Sequence, residues 1–572
     1  MDQRLSFAIL LLTILAATAV YPTLKKPVFS DSLWRKVFLL FAGTLAVALP
    51  VWRLRSLAYN GEINVDESLI IAQAMRYLDD PVPWRSVNGG SGGPLNTWIL
   101  LWAPLLGVKF GYLAARITGL ACTFLMILGT ALSIREFVGN KLALLLTLPM
   151  CLLLCGTLNL DFVHFSSEQL PAAICTWVVW LILLQAKRVS QNRAFMVGLL
   201  TGALPFTKLQ VAPAAVLLFL IALTITIHPW MPPKSFRAGS LLLAGGLAVP
   251  ALILVPVAIC GAWGDFVEFY LLEGLRYKNV ATATSPSALQ FLMRGSVDFT
   301  TYWTVFGGVA LCGLGSVLFL FTNKRTSLKK PWLIGLGIVT AYSLLMTHLA
   351  TRTGMGFPHY LMLLIAPTSL WFAACLGNPV QFLNEAKEAS VAVEQSRTRD
   401  FWLVGGVSLV LLMQCFTFVR IYRATPQFVG NWGNPVHPIV PLILQFATPQ
   451  DRMFVWGWAP KFHVLTGIPP ATRFTSNGLL TASGDLPERY RRRLREDLEK
   501  AKPKLILDAT EEFRWPTWPP GLMAGHQAVP ELAELVFRNY RQVKRFDVRP
   551  GGQPFMIFER KQPTAAPGVR EN

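Results

Sequence analysis

The stretch Glu62-Ile63-Asn64-Val65-Asp66-Glu67-Ser68 decides how this chain is read. It follows an apolar run, 37–52, long enough to approach a membrane span, and it opens an amphipathic stretch, 67–78. Two adjacent carboxylates at the end of a hydrophobic helix are costly in lipid. Asp66 and Glu67 are therefore expected to face water at the membrane surface. The plainer reading is a helix N-cap followed by a favourable first-turn acid. Both hold together if Asp66 caps the helix and still presents its carboxylate to a cavity.

The bulk numbers agree with a membrane setting. The chain has 572 residues, 53% of them hydrophobic and 15% charged, with a mean hydropathy of +0.45. So few charges cannot cover the surface of an ordinary soluble fold. The net charge of +20 is spread over short loops between apolar runs, which fits inside-facing loops and anionic headgroups. No basic stripe with interleaved aromatics is present, so nucleic acid is not expected as a partner. The eight cysteines (Cys122, Cys151, Cys155, Cys175, Cys260, Cys312, Cys375 and Cys415) all lie in apolar runs. They read as small buried hydrophobes rather than a disulfide framework.

Periodicity and run length predict a polytopic all-α membrane protein with about 11–12 transmembrane helices. The expected spans are 5–22, 37–55, 112–134, 141–158, 170–186, 195–207, 210–228, 238–262, 299–321, 331–350, 359–376 and 401–420. The run 5–22 reads as a retained span rather than a signal peptide. Alternate loops are basic, with Lys25, Lys26, Arg35 and Lys36, then Arg135 and Lys141, then Lys187, Arg188 and Arg193, then Lys234 and Arg237, and then Lys324, Arg325, Lys329 and Lys330. That alternation marks an inside face. Arg53 and Arg55 go against it and are expected to snorkel. The other loops then lie outside, including a large first loop at 56–111. Within that loop 94–108 is apolar enough to tempt a span assignment. A crossing there would break the charge alternation, so a helix lying at or dipping into the interface is expected.

After residue 421 alternating apolar strands and charged helices appear, at 452–456, 488–500, 504–507 and 531–537, with a hairpin from 543 to 559 around Pro550-Gly551-Gly552. This predicts a small C-terminal α/β soluble domain. The expected division is 1–420 for the membrane domain, 421–560 for the α/β domain and 561–572 for a disordered tail. In a bacterium the chain would be a multi-pass inner-membrane protein with that domain in the periplasm.

With this topology one face collects unusual polar residues. Asp66 and Glu67 lie in the first outer loop, and Asn159, Asp161, His164 and Glu168 in the second. Lys208 sits between two apolar runs, and Arg352, His359 and Tyr360 fall in TRTGMGFPHY. Acids gather early and bases late. Transfer from a phosphate leaving group needs that division, with a carboxylate to take a proton and cations to hold the departing phosphate. Each residue also has a plainer reading. Lys208 can snorkel from a helix end, Arg352 can anchor at headgroups, and His359 can start a helix. His164 and Glu168 are one helical turn apart, as in a metal pair, but no third ligand accompanies them in sequence. No cofactor is indicated, and a divalent metal stays open. Tyr270, Glu273, Arg276 and Tyr277 in the long loop 263–298 can shape a lid. There is no phosphate-cradling P-loop, no dinucleotide fingerprint and no nucleophile elbow. Gly89-Gly90-Ser91-Gly92-Gly93 reads as a flexible loop beside the acids.

These residues resemble integral-membrane glycosyltransferases of the GT-C type, in the branch of protein O-mannosyltransferases and the aminoarabinose transferase of lipid A. The resemblance rests on Asp66-Glu67, Pro94-Leu95 to Trp98, Ala114-Ala115-Arg116, Asp161, Thr207-Lys208 and Phe357-Pro358-His359-Tyr360, over roughly 37–420. It implies a polyprenyl-phosphate-sugar donor and an inverting transfer to a lipid, glycan or protein acceptor on the outer face. Asp66 would be the general base, assisted by Glu67. Lys208, Arg352, His359 and Tyr360 would bind the donor phosphate. The other reading is a transporter or flippase of a lipid-linked sugar, but no internal repeat of the kind common in transporters is evident.

Overall fold

In lipid, backbone N–H and C=O groups have no partner but each other, so long apolar runs become helices. A computed structural model describes residues 31–157, 160–227, 235–276, 330–352, 357–388, 437–475, 485–510, 525–547 and 554–562. The expected spans 5–22, 299–321 and 401–420 lie outside the described residues, as do Asn159, Tyr277 and most of the tail. Among the described residues seven helices are long and apolar enough to cross a membrane.

The helices that build the site are α1 (Asp31–Trp52), α2 (Val65–Tyr77), α3 (Tyr112–Gly156), α4 (Gln169–Lys187) and α5 (Gln191–Ala203). They are followed by α6 (Ala212–Ile227), α7 (Phe236–Ile259), α8 (Lys330–Arg352) and α9 (Met362–Glu388). α3 is two helices joined at Gly139, whose φ of 75° is outside the helical range. That glycine lets the chain turn back, because a left-handed φ is open to glycine without a Cβ clash. Both ends of α3 consequently meet the segment after α1: Arg116 reaches Ser56 and Arg53 reaches Leu154.

The two ends of the bundle differ in charge. At the Gly139 end Lys187 Nζ lies 2.5 Å from Glu136 Oε2, with Arg135 beside them. The opposite end carries Asp66, Asp161, Glu168, Lys208 and His359. α5 and α7 pack with almost no side chain between them. A Cβ on Gly198 would stand 2.1 Å from Leu242 O, and one on Gly245 would stand 2.3 Å from Phe195 O. Small residues at such crossings are how membrane helices gain contact when burial itself offers no drive.

Arg53 does not snorkel. It is buried and donates to Phe162 O and to Leu154 O, both at 2.6 Å. Its charge meets the Leu154 carbonyl near the end of α3 and the Phe162 carbonyl in the segment that follows, which explains a basic residue on the acidic side. Residues 94–108 do not cross either. They form three short pieces, Pro94–Trp98, Ile99–Leu101 and Trp102–Leu105, ending in exposed Leu105 and Leu106. At ~1.5 Å per residue these pieces reach well short of a ~30 Å hydrocarbon core.

Among the described residues the C-terminal region forms a four-stranded sheet of order β1-β2-β4-β3. β1 (Met453–Trp456) and β2 (Leu505–Asp508) are parallel, while β3 (Tyr540–Phe546) and β4 (Phe555–Arg560) form an antiparallel pair attached to β2. The parallel pair is joined through α10 (Asp485–Ala501), and α11 (Pro530–Asn539) precedes β3. This unit docks on the Asp66 side of the bundle. Val464 packs among Ile70, Ile71 and Ala74 of α2, and Arg452 pairs with Asp79 just beyond its end. The helix that carries Asp66 is thus held by the C-terminal domain along its length and at its end.

Candidate active site

α2 begins with an N-cap. Asn64 Oδ1 accepts from the Asp66 amide at 3.0 Å, and Asn64 Nδ2 donates to Asp161 Oδ1 at 3.2 Å. One asparagine therefore closes the helix and ties the Asp66 loop to the Asp161 segment. Asp66 is partly open, with 32% of its side chain exposed. Glu67, one residue on, faces a different environment. Its carboxylate is fully buried and receives Arg116 Nε at 3.0 Å, Arg116 Nη2 at 2.7 Å and the Phe165 amide at 3.2 Å. Successive helical residues are about 100° apart, as 3.6 residues per turn require, so neighbouring acids take different surroundings.

His359 lies at the start of the turn leading into α9 and joins the acids. Its Nδ1 is 3.3 Å from Asp161 Oδ1, and its Nε2 is 3.7 Å from Asp66 Oδ2 and 4.0 Å from Glu168 Oε1. Phe357 stacks on the imidazole at 5.5 Å, and Tyr360 meets it edge-on at 4.7 Å. Lys208 ion-pairs with the buried Glu168, donates to Ser167 Oγ at 2.8 Å, and places its ammonium 4.8 Å from the Tyr360 ring centre. Burial alone would raise the Glu168 carboxyl. The charges of Lys208 and His359 outweigh that and hold it down at about 2. Glu168 is therefore a carboxylate at neutral pH and is engaged by the lysine.

His164 lies at the edge of this group, its ring 6.2 Å from that of His359, with Nδ1 2.7 Å from Leu160 O. His164 and Glu168 thus face different partners. Among the described residues no three His, Cys, Asp or Glu side chains are grouped so as to hold a metal ion. Arg352 ends α8 and is exposed. The structure brings together Asp66, Asp161, Glu168, Lys208, His359 and Tyr360, with His164 beside them. It sets Glu67 behind them. Asn64, Ser167, Arg53 and Arg116 take parts that the sequence did not assign. Asn64 carried a signal as a capping-type residue two positions before Asp66, and Arg116 stood within a quoted motif without a role. Nothing in the sequence pointed to Ser167.

The architecture matches known structures. ArnT from Cupriavidus metallidurans bound to undecaprenyl phosphate aligns at a TM-score of 0.56 with 14% identity, over 92% of this chain and 98% of that one. The apo state of the same protein aligns at 0.54 with 15% identity, over the same 92% and 98%. The chain has the GT-C fold. The oligosaccharyltransferase of Archaeoglobus fulgidus tethered with an acceptor peptide aligns at 0.48 with 13% identity, over 93% of this chain and 74% of that one. No family model and no curated protein sequence matches the chain. At the level of fold, the resemblance read from Asp66-Glu67 through Phe357-Pro358-His359-Tyr360 is met. Within the GT-C fold, Asp66, Asp161 and Glu168 stand with Lys208 and His359 at one end of the bundle.

Proposed function

We propose that this chain is a membrane glycosyltransferase. It moves a sugar from a polyprenyl-phosphate donor to a hydroxyl of a lipid, glycan or protein acceptor, at the periplasmic face of a bacterial inner membrane. The observation that carries the reading is the meeting of a water-facing acid, Asp66, with Asp161, Glu168, Lys208 and His359 at one end of a GT-C bundle. The likeness to ArnT, whose structure holds undecaprenyl phosphate, supports the class of donor.

The chemistry follows from the placement. Asp66 takes the proton of the acceptor hydroxyl as its oxygen attacks the anomeric carbon. The bond between that carbon and the phosphate oxygen breaks, and polyprenyl phosphate leaves with the electron pair. A single displacement inverts the anomeric centre. His359 holds Asp66 and Asp161 near one another, which limits the repulsion of two carboxylates and sets the orientation of the base. An ammonium has three N–H donors. Glu168 and Ser167 take two on Lys208, and the third goes to the departing phosphate. Arg352 supplies a second cation from the end of α8, and Tyr360 backs the lysine through its ring. Glu67 supports the base by fixing the loop before it. The test is direct. Protein purified in detergent is incubated with polyprenyl-phosphate-sugar and candidate acceptors, and glycosylated product and free polyprenyl phosphate are followed. Movement of intact donor across a vesicle membrane with no new glycosidic bond would replace this reading with the transporter.

A further inference from the structure

The Gly-rich loop after α2 is built into the site rather than hanging beside it. Gly93 N donates to Thr207 O and Leu209 N donates to Ser91 O, both at 2.9 Å, and Gly92 bridges antiparallel to Lys208. The loop therefore holds the backbone on both sides of the lysine. Glycine is required at the closest point, since a Cβ on Gly93 would lie 2.0 Å from Phe206 O. At its other end the Asn88 amide donates to Arg473 O at 2.9 Å, in the chain leading from β1 to α10. The Asn88 side chain donates to Glu273 Oε2 at 3.2 Å, and the Tyr490 hydroxyl of α10 donates to the same oxygen. Gly90 comes next to that carboxylate, and Asn88 Oδ1 caps the Gly90 amide at 3.0 Å. Gly274, beside Glu273, is pressed against Leu209, so that a Cβ there would lie 2.4 Å from Leu209 Cδ2.

We propose that Glu273 is a positioning residue for the donor phosphate. By gripping Asn88 and Tyr490 together, it makes residues 88–93 a strap that ties the Lys208 hairpin to the C-terminal domain and so sets the reach of the lysine. The inference rests on the reading of Lys208 as a phosphate ligand. The surroundings of Glu273 suit a grip that needs a particular hydrogen-bond pattern. Burial pushes its carboxyl up to about 7, Glu268 adds to the rise, and the bonds from Tyr490 and Asn88 offset part of it. Buried, hydrogen-bonded acids of this kind have few alternative partners. The next layer is also ionic: Arg473 bonds Asp265 and Asp497, and Arg493 reaches Asp265. The coupling thus runs from α10 through two contacts, Tyr490 to Glu273 and Arg473 to the Asn88 amide.

The test uses the full chain in detergent with undecaprenyl phosphate as probe, and compares Glu273→Ala, Glu273→Gln, Asn88→Ala and Lys208→Met. Glu273→Ala and Asn88→Ala are expected to weaken probe binding about tenfold, the equivalent of one lost charge-assisted bond. They are also expected to speed amide exchange at Leu209 and Gly93. Glu273→Gln keeps an oxygen for Tyr490 and Asn88 and is expected to restore both readings. In turnover the loss falls on the donor KM and leaves the acceptor KM in place. If Lys208→Met weakens binding while Glu273→Ala leaves affinity and Leu209 exchange at the wild-type level, the strap is wrong and the lysine assignment stands. If Lys208→Met binds the probe as tightly as wild type, the lysine assignment fails and the strap's function fails with it.

Discussion

Asp66 and Glu67 are neighbours in sequence, yet their replacement is predicted to have unequal consequences for stability. The Glu67 and Arg116 side chains are 0% and 1% exposed. Removing one member of such a pair leaves a buried charge uncompensated, which costs about 3–5 kcal/mol. Arg116 keeps carbonyl partners at Ser56, Tyr59 and Gly61, so the cost of Glu67→Ala falls at the lower end, about 3 kcal/mol. Asp66→Ala removes a side chain that is 32% exposed and whose helix cap is supplied by Asn64. Its cost is expected to be below about 1 kcal/mol, as for a partly exposed ion pair. The assay is thermal unfolding of both variants in the same detergent, alongside Arg116→Met and the double variant Glu67→Ala/Arg116→Met. The double variant should lose less than the sum of the singles, because each single variant strands its partner. Equal melting of wild type and Glu67→Ala, or strict additivity in the cycle, would refute the view that the second acid is structural.

Three further outcomes are expected. Arg53→Leu strands Leu154 O and Phe162 O at about 1–3 kcal/mol for a buried polar group left unpaired, and it lowers transfer because the Asp161 segment loses its anchor; a melting curve and a turnover assay check both. Lys208→Met raises the donor KM more than it lowers kcat, since the lost contact already exists in the bound donor, and initial rates over a donor series test the split. Glu273 gives a pH signature. Its folded carboxyl is raised from 4.5 to about 7, so between those values the native state binds more protons than the unfolded chain. Stability therefore falls as pH rises through that window. Glu273→Gln should flatten the fall, as read from melting temperatures between pH 5 and pH 8 (about the range where such a carboxyl titrates).

The membrane fold was legible because lipid imposes a simple rule on the backbone. The runs at 112–134, 170–186, 210–228 and 238–262 are predominantly apolar, and each became a helix near its expected bounds. The C-terminal strands at 453–456 and 505–508 were equally legible from short apolar runs between charged helices. Side-chain partners were harder to read. Charge counting placed Arg53 on the unexpected face, but only the fold shows the two carbonyls it serves. The adjacent acids looked alike in sequence, and a turn of about 100° per residue sends one to Arg116 and the other to His359. The Gly-rich loop read as flexible because nothing local predicts a partner. Gly93 bonds Thr207, Ser91 accepts from Leu209, and Asn88 just before the loop bonds Arg473, all distant in the chain. Local patterns carry the helices, while long-range polar contacts decide what each residue can do.

The central claim is that Asp66 is the base of a sugar transfer. Asp66→Asn keeps the shape and the helix cap but cannot take a proton. The decisive measurement is release of polyprenyl phosphate with formation of glycosylated acceptor by this variant, beside its melting temperature and its affinity for undecaprenyl phosphate. The account predicts wild-type folding and near wild-type affinity with turnover lowered by about 10²–10⁴, the usual contribution of a positioned general base. Full turnover by Asp66→Asn under the same conditions would contradict it.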